Sequence, residues 1–212
     1  MKLTIFGATG GTGVELLRQA LAAGHEVTAV VRDPRRLPAD LLSGLDIRQA
    51  DLMDPDAIAP TVKDRDAVLS AMGSRGRAPT TVCADSISAI ATAMALGRTR
   101  RLLMTSAGGL VTDAGDGVIV RYVVKPLIVQ RLFKHSYADL REAERRLRAT
   151  NLDWTIVRPS RLTDAGLTGR YRTAWDTNLR GGLSTTRADL AHCLLALAAD
   201  PASVRHAVSV AS

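Results

Sequence analysis

Short apolar runs alternate along this chain with longer stretches in which apolar side chains recur every three or four residues. Lys2–Phe6, Glu26–Val31, 66–72, Arg101–Thr105 and 153–158 are compact runs with little polar alternation, the pattern of strands buried on both faces. Weaker strand signals cover 46–49, 170–175 and 206–210. Between them lie helical patterns. Residues 11–23 carry Val14, Leu17 and Leu21 at helical spacing and close at Gly24. Residues 54–60 follow a capping Asp54. Residues 80–96 are rich in small side chains and stop at Gly97. Residues 137–150 turn Leu140 and Leu147 inward, and residues 186–199 open at Thr185 or Thr186 as cap. Strands separated by helices require right-handed crossovers, hence a mostly parallel sheet in a single doubly wound α/β domain spanning 1–212. No internal repeat or low-complexity linker divides it. The pattern is least decisive at 113–134, where a Gly/Asp turn leads into an apolar run holding Pro126. A Gly/Thr-rich stretch after Pro159 reads as a flexible loop near the ligand. Residues of roughly 107–135 and 160–185 are therefore the expected substrate-side loops.

Composition narrows the classes. At 212 residues, with 46% hydrophobic and 23% charged, the chain is that of one globular domain rather than a disordered one. No apolar run approaches the roughly 18 residues of a membrane span, and the first one breaks at Gly7, too early for a secretory signal. Two isolated cysteines, Cys83 and Cys193, make no disulfide framework, and the four histidines lack ligand spacing. No metal site and a reducing cytosol are expected. The net charge of +7 favours phosphorylated ligands. With only 3% aromatic residues the chain lacks the stacking surface of single-strand binders, so a nucleic-acid partner is not expected. Nothing in the pattern fixes an oligomeric state.

The chemistry concentrates at Gly7-Ala8-Thr9-Gly10-Gly11-Thr12-Gly13, between the first strand and the first helix. Glycines there let the chain turn tightly and bring backbone N–H groups up to a pyrophosphate, while the helix that opens near Gly11 aims its unpaired N–H groups at the same anion. Gly13 permits close packing of helix on strand. The strand–turn–helix setting is what makes the glycine pattern a dinucleotide signal; a ligand-free turn is the alternative. No Lys-Ser/Thr pair follows, which excludes a Walker-type loop.

The second strand ends at Arg32-Asp33-Pro34-Arg35-Arg36, about twenty residues beyond Gly13, where an acid would bind the ribose of NAD. Arg32 there suits a 2′-phosphate, with Arg35 or Arg36 as a second clamp. NADP(H) is therefore favoured over NAD(H), although Asp33, one residue on, would suit NAD. Asp51 and Leu52 follow the third strand, where Asp51 accepts from the adenine amino group and Leu52 packs on the ring, or Asp51 merely starts the next helix. Met72 and Gly73 end the fourth strand, and Gly73 lets backbone approach the coenzyme. The fifth strand ends at Thr105-Ser106, at the carboxyl edge of the sheet where ligands bind. There the Ser106 hydroxyl is placed to donate to a substrate carbonyl or pass a proton, or simply to cap the strand end.

With Leu152-Asp153-Trp154-Thr155-Ile156-Val157-Arg158-Pro159 and Thr186-Arg187-Ala188-Asp189-Leu190-Ala191-His192 added, these motifs resemble, over nearly the whole chain, an atypical short-chain dehydrogenase/reductase with an NAD(P)-binding Rossmann fold. Within that superfamily the chain looks like the biliverdin-IXβ reductase/flavin reductase group and its NmrA-like relatives. The resemblance implies NADPH-dependent hydride transfer to a small-molecule acceptor: a flavin, a biliverdin-like tetrapyrrole or another flat conjugated compound. It makes Ser106 the candidate catalytic serine and puts Arg32, Arg35, Asp51 and Leu52 on cofactor-contact positions. Pro159, Ser160 and Arg161 would lie near the nicotinamide. The chain departs from the better-known Tyr-x-x-x-Lys pattern: Tyr137 is followed by Arg141, which stays charged and favours a tyrosinate but need not reach the same ribose. Tyr122 and Lys125 form a second, more closely spaced pair, with Lys125 a candidate cofactor contact. Ser106, a tyrosine or solvent supplies the proton on this reading. Two alternatives are a non-enzymatic NADP(H)-binding redox sensor and an epimerase or dehydratase that retains its cofactor.

Overall fold

A computed structural model describes residues 1–74, 76, 78–113 and 133–212. The strands are β1 (Lys2–Phe6), β2 (Glu26–Val31), β3 (Leu45–Gln49), β4 (Ala67–Ser70), β5 (Arg101–Thr105), β6 (Asp153–Pro159), β7 (Arg161–Thr163), β8 (Arg172–Trp175), β9 (Ser184–Thr186) and β10 (His206–Ala211). The helices are α1 (Gly11–Ala22), α2 (Pro55–Val62), α3 (Val82–Ala95), α4 (Lys134–Arg148) and α5 (Arg187–Ala199).

Eight strands form one sheet in the order β3-β2-β1-β4-β5-β6-β10-β8. All its pairings are parallel except β10 with β8. The order reverses at β1, which pairs with β2 on one side and β4 on the other, and the crevice at that switch opens above the carboxyl ends of the strands. The doubly wound α/β reading is thus what the chain adopts.

The near-continuous apolar runs are explained by two cores, one on each face. Leu3, Ile5, Val27 and Ala29 pack under α1 and α5. Phe6, Val68, Leu102 and Ile156 pack under α2, α3 and α4 through Ile58, Ile87, Ile90 and Leu147. Among the described residues no helix is long and apolar enough to cross a membrane.

Boundaries shift where side chains compete. The strand expected over 66–72 is shorter, because the Asp66 carboxylate accepts from the Lys2 amide at 2.6 Å and Met72 has already left the sheet. Helix α3 begins at Val82 rather than residue 80. Its first amides are held from outside, with Cys83 and Ala84 donating to the buried Asp139 carboxylate at 3.0 and 2.9 Å. Asp54 caps α2 and Thr186 caps α5, as their positions before the helices require. In the stretch after Pro159, residues 164–171 form a loop, and its flanks are tied down. β7 and β9 pair in a second small sheet, and the buried Asp189 carboxylate takes the Thr168 and Gly169 amides and the Thr168 and Ser212 hydroxyls.

Candidate active site

A cavity of about 650 Å³ lies over the switch point. One end is the glycine turn. Gly7 has φ +74°, and a Cβ there would sit 2.5 Å from the Ala71 carbonyl oxygen of the crossing β4 end. A Cβ on Gly13 would overlap the Gly7 carbonyl, so Gly13 lets α1 close onto β1. The Gly10 amide donates to Gly7 O at 3.0 Å and fixes the turn. Helix α1 then starts with Gly10 as its cap, with no side chain on its free amides and no acid in its first turn. Those amides and the helix dipole face the cavity, and the first turn of α1 itself adds no negative charge.

Arg187 crosses this turn. It is the first residue of α5, lines the cavity, and lies so close that a Cβ on Gly11 would meet its Cδ at 2.6 Å. Its guanidinium pairs with the exposed Asp164 carboxylate. Pattern reading passed over Arg187 because the first residue after a helix cap is ordinarily solvated. Only the packing of α5 against α1 brings it to the glycines.

At the end of β2, Arg32 lines the cavity and its guanidinium makes no ion pair among the described residues. Asp33 is turned elsewhere. Its carboxylate accepts from the Arg35 amide at 3.1 Å and from Arg35 Nε and Nη2 at 2.9 and 3.1 Å. That pairing holds Arg35 off the cavity as well. It also draws the Asp33 carboxyl below its ordinary value, through the Arg35 hydrogen bond first. Leu52 is buried and lines the cavity, whereas Asp51 stays exposed and accepts from the Met53 amide at 3.0 Å. Met72 and Gly73 are on the wall with Gly7, Thr9, Gly10, Gly11 and Thr12.

At the opposite end, Thr105 and Ser106 line the cavity at the end of β5. Ser106 is buried, and its hydroxyl donates to Glu144 Oε1 at 2.7 Å. Glu144, on α4, is in turn held by Arg158 of β6, which donates from Nε to Oε1 at 3.0 Å and from Nη2 to Oε2 at 2.5 Å. Both charged side chains are buried, exposed by only 8% and 9%. Glu144 was missed by the sequence reading. Its available signal was an acid at helical spacing within the inward stripe of Leu140, Ala143 and Leu147. Next to Ser106, the Thr105 hydroxyl is buried and has no hydrogen-bond partner among the described residues.

Tyr137 is not brought to this wall. It stacks on Phe133 with ring centroids 5.8 Å apart, and burial pushes its phenol up more than the Arg141 charge pulls it down. The tyrosinate expected from a neighbouring arginine is therefore disfavoured. Arg141 itself donates to the Leu110 carbonyl at 3.4 Å. Pro159 packs its carbonyl on Gly108. Ser160 is used internally, its hydroxyl donating to the Gly182 carbonyl at 2.7 Å, and Arg161 is exposed on β7. Leu162, one residue on, is the β7 side chain that reaches the cavity. Tyr122 and Lys125 lie outside the described residues. Cys83 and Cys193 are buried and their thiols are pushed up to about 12, chiefly by burial, so neither is a nucleophile.

A dinucleotide fits this wall: the glycine cradle leaves no room for side chains, and the α1 amides carry no side-chain cap. The comparisons agree. A 27% identical relative in Bacillus subtilis, the uncharacterized protein YwnB, aligns over 92% of this chain and 91% of its own length. The oxidoreductase ylbE of Lactococcus lactis superposes with a TM-score of 0.81 at 22% identity, covering 100% of this chain and 91% of that one. ChuY of Escherichia coli O157:H7, an anaerobillin reductase, superposes with a TM-score of 0.79 at 22% identity, covering 100% and 97%. At those identities the two structures establish the Rossmann-like fold. The profile of NAD(P)H-binding domains matches residues 7–201, nearly the whole chain, and so the chain belongs to the NAD(P)H-binding family.

Proposed function

We propose that this protein is an NADPH-dependent reductase that passes hydride to a flat, conjugated acceptor such as a flavin or a biliverdin-like tetrapyrrole. The observation that carries the coenzyme preference is Arg32, which lines the cavity with no ion pair among the described residues while Asp33, the residue that would suit a ribose diol, is occupied by Arg35. The Gly7–Gly13 turn and the α1 amides would hold the pyrophosphate, with Arg187 above them as a cation. Leu52 and Asp51 would flank the adenine. Bound in reduced form, the coenzyme supplies the hydride; the protein orients it and excludes water.

The acceptor class is inferred from what the described residues do not offer. Tyr137 is off the cavity wall, and the Ser106 proton is committed to Glu144. A simple ketone needs a protein acid as its oxygen becomes charged. A flavin or tetrapyrrole spreads the incoming electron pair over its ring system and takes its proton from solvent. ChuY, whose fold this chain shares, is called an anaerobillin reductase, which supports a reductase reading.

Steady-state assays with NADPH and NADH against flavin, biliverdin and quinone acceptors test the proposal. Turnover with at least one acceptor is expected. Arg32→Ala is expected to weaken NADPH by about 10- to 100-fold, the worth of hydrogen bonds to a charged group, and to leave NADH nearly unchanged. Equal use of both coenzymes by the wild type would overturn the NADP preference. Absence of turnover with every acceptor, despite tight coenzyme binding, would overturn the reductase.

A further inference from the structure

The Ser106–Glu144–Arg158 chain runs inward from the cavity wall, and its middle member, Glu144, belongs to none of the motifs read from the sequence. A buried ion pair is poor evidence for stability, because desolvating two charges consumes most of what their attraction returns. What the pair does here is directional. Both Glu144 oxygens already accept from Arg158, and a carboxylate held in that fork has nothing to donate. The Ser106 hydroxyl must therefore be the donor in its 2.7 Å contact with Glu144 Oε1. A hydroxyl carries one proton and two lone pairs. With the proton spent beneath the wall, the group that Ser106 turns toward a ligand is an acceptor. Thr105, on the same wall, has a buried hydroxyl whose proton is uncommitted among the described residues.

From this polarity we infer that Glu144, clamped by Arg158, is a positioning residue that fixes Ser106 as a hydrogen-bond acceptor, so that the ligand group recognised there is an amide edge. Its N–H donates to Ser106 Oγ. Ser106 is thereby a recognition group and not the proton donor to a substrate carbonyl. Two ligands of the proposed reaction carry such an edge: the nicotinamide carboxamide of the coenzyme and the ring lactam or imide of a flavin or tetrapyrrole. The inference rests on the reductase reading for the identity of those ligands, but its polarity comes from the geometry alone.

The test uses ligands that lack the N–H. The 3-acetylpyridine analogue of NADP replaces the carboxamide NH2 by a methyl group, and an N3-methylated flavin removes the imide N–H. Binding of NADP and its analogue is measured by calorimetry, which needs no turnover. The flavin pair is compared by kcat/KM where turnover is present and by fluorescence quenching otherwise. The wild type is expected to discriminate about fivefold to tenfold against the analogue whose N–H meets Ser106, the scale of one neutral hydrogen bond. In Ser106→Ala that discrimination is expected to fall to near unity, as it is in Glu144→Gln, where an amide turns toward Ser106 and the hydroxyl is freed to reorient. The double variant is expected to be no worse than either single one. If the wild type discriminates against neither analogue, or Ser106→Ala discriminates as strongly as the wild type, the inference is overturned. The Ser106→Ala comparison decides it even if Glu144→Gln does not fold. A wild type that turns over no acceptor yet still loses affinity for the acetylpyridine analogue through Ser106 would sink the reductase and leave this inference standing.

Discussion

At the glycine turn the cavity is walled by backbone, and at Ser106 it is walled by side chains. The first end is contiguous in the chain, from Gly7 to Gly13, and its recognition groups are amides that every residue possesses. It demands the absence of side chains, because a Cβ at Gly7 or Gly13 would strike backbone that cannot yield. The second end assembles Ser106 from the end of β5, Glu144 from α4 and Arg158 from β6, with Ser106 and Glu144 38 positions apart in sequence. Its demand is a complete hydrogen-bond chain, in which the direction of each bond sets that of the next. A backbone site is therefore intolerant of added atoms, whereas a side-chain site depends on the hydrogen-bonding groups of partners far along the chain.

That contrast is broken most severely at Gly13. Gly13→Ala should push α1 away from β1, costing about 1–3 kcal/mol of stability as an overpacked contact does. It should also weaken NADPH binding by about 100-fold through misplaced amides. Calorimetric titration and thermal unfolding check both. Coenzyme affinity within twofold of the wild type would show that the turn is not built as described.

A smaller effect is expected at Arg187, a side chain that leans over the backbone end. Arg187→Ala should weaken NADPH and NADH alike, by about tenfold, because a cation above the pyrophosphate does not distinguish the 2′ substituent. Selective loss of NADPH would place its charge at the adenosine end instead. Measured at several salt concentrations, the wild-type advantage should shrink as screening increases.

The smallest effect tests the anchor of the β7–β9 region. Burial pushes the Asp189 carboxyl up, but hydrogen bonds from the Ser212 and Thr168 hydroxyls and the Thr168 and Gly169 amides outweigh it and bring it down to about 2 from an ordinary 3.8. A carboxyl lowered by folding stabilises the native state above its unfolded value and loses that contribution as pH falls through the folded one. The melting temperature of the wild type should thus drop between about pH 4 and pH 2 more steeply than that of Asp189→Asn. Parallel curves would mean that Asp189 contributes no such anchor.

The order of strands and helices was legible in the chain because apolar periodicity reports which faces are buried, and the glycine turn was legible because only glycine meets its steric demand. Arg32 was legible from its distance beyond that turn. The Tyr137–Arg141 spacing was equally visible but led away from the cavity wall, since spacing along a helix does not fix how the helix is rotated against the sheet. The same rotation buried Asp139 as a cap for α3 and Glu144 as the partner of Ser106, two acids that on sequence grounds read as solvated.

Sequence by itself determined the doubly wound sheet and the tight glycine turn after β1, because each follows from local sterics or from a period of two or 3.6 residues. Tertiary structure alone decided that Asp33 is consumed by Arg35, that Arg187 reaches the glycines from α5, and that Ser106 offers a lone pair instead of a proton. Those outcomes depend on which distant groups meet and in which direction each hydrogen bond runs, and no one-dimensional pattern carries that direction.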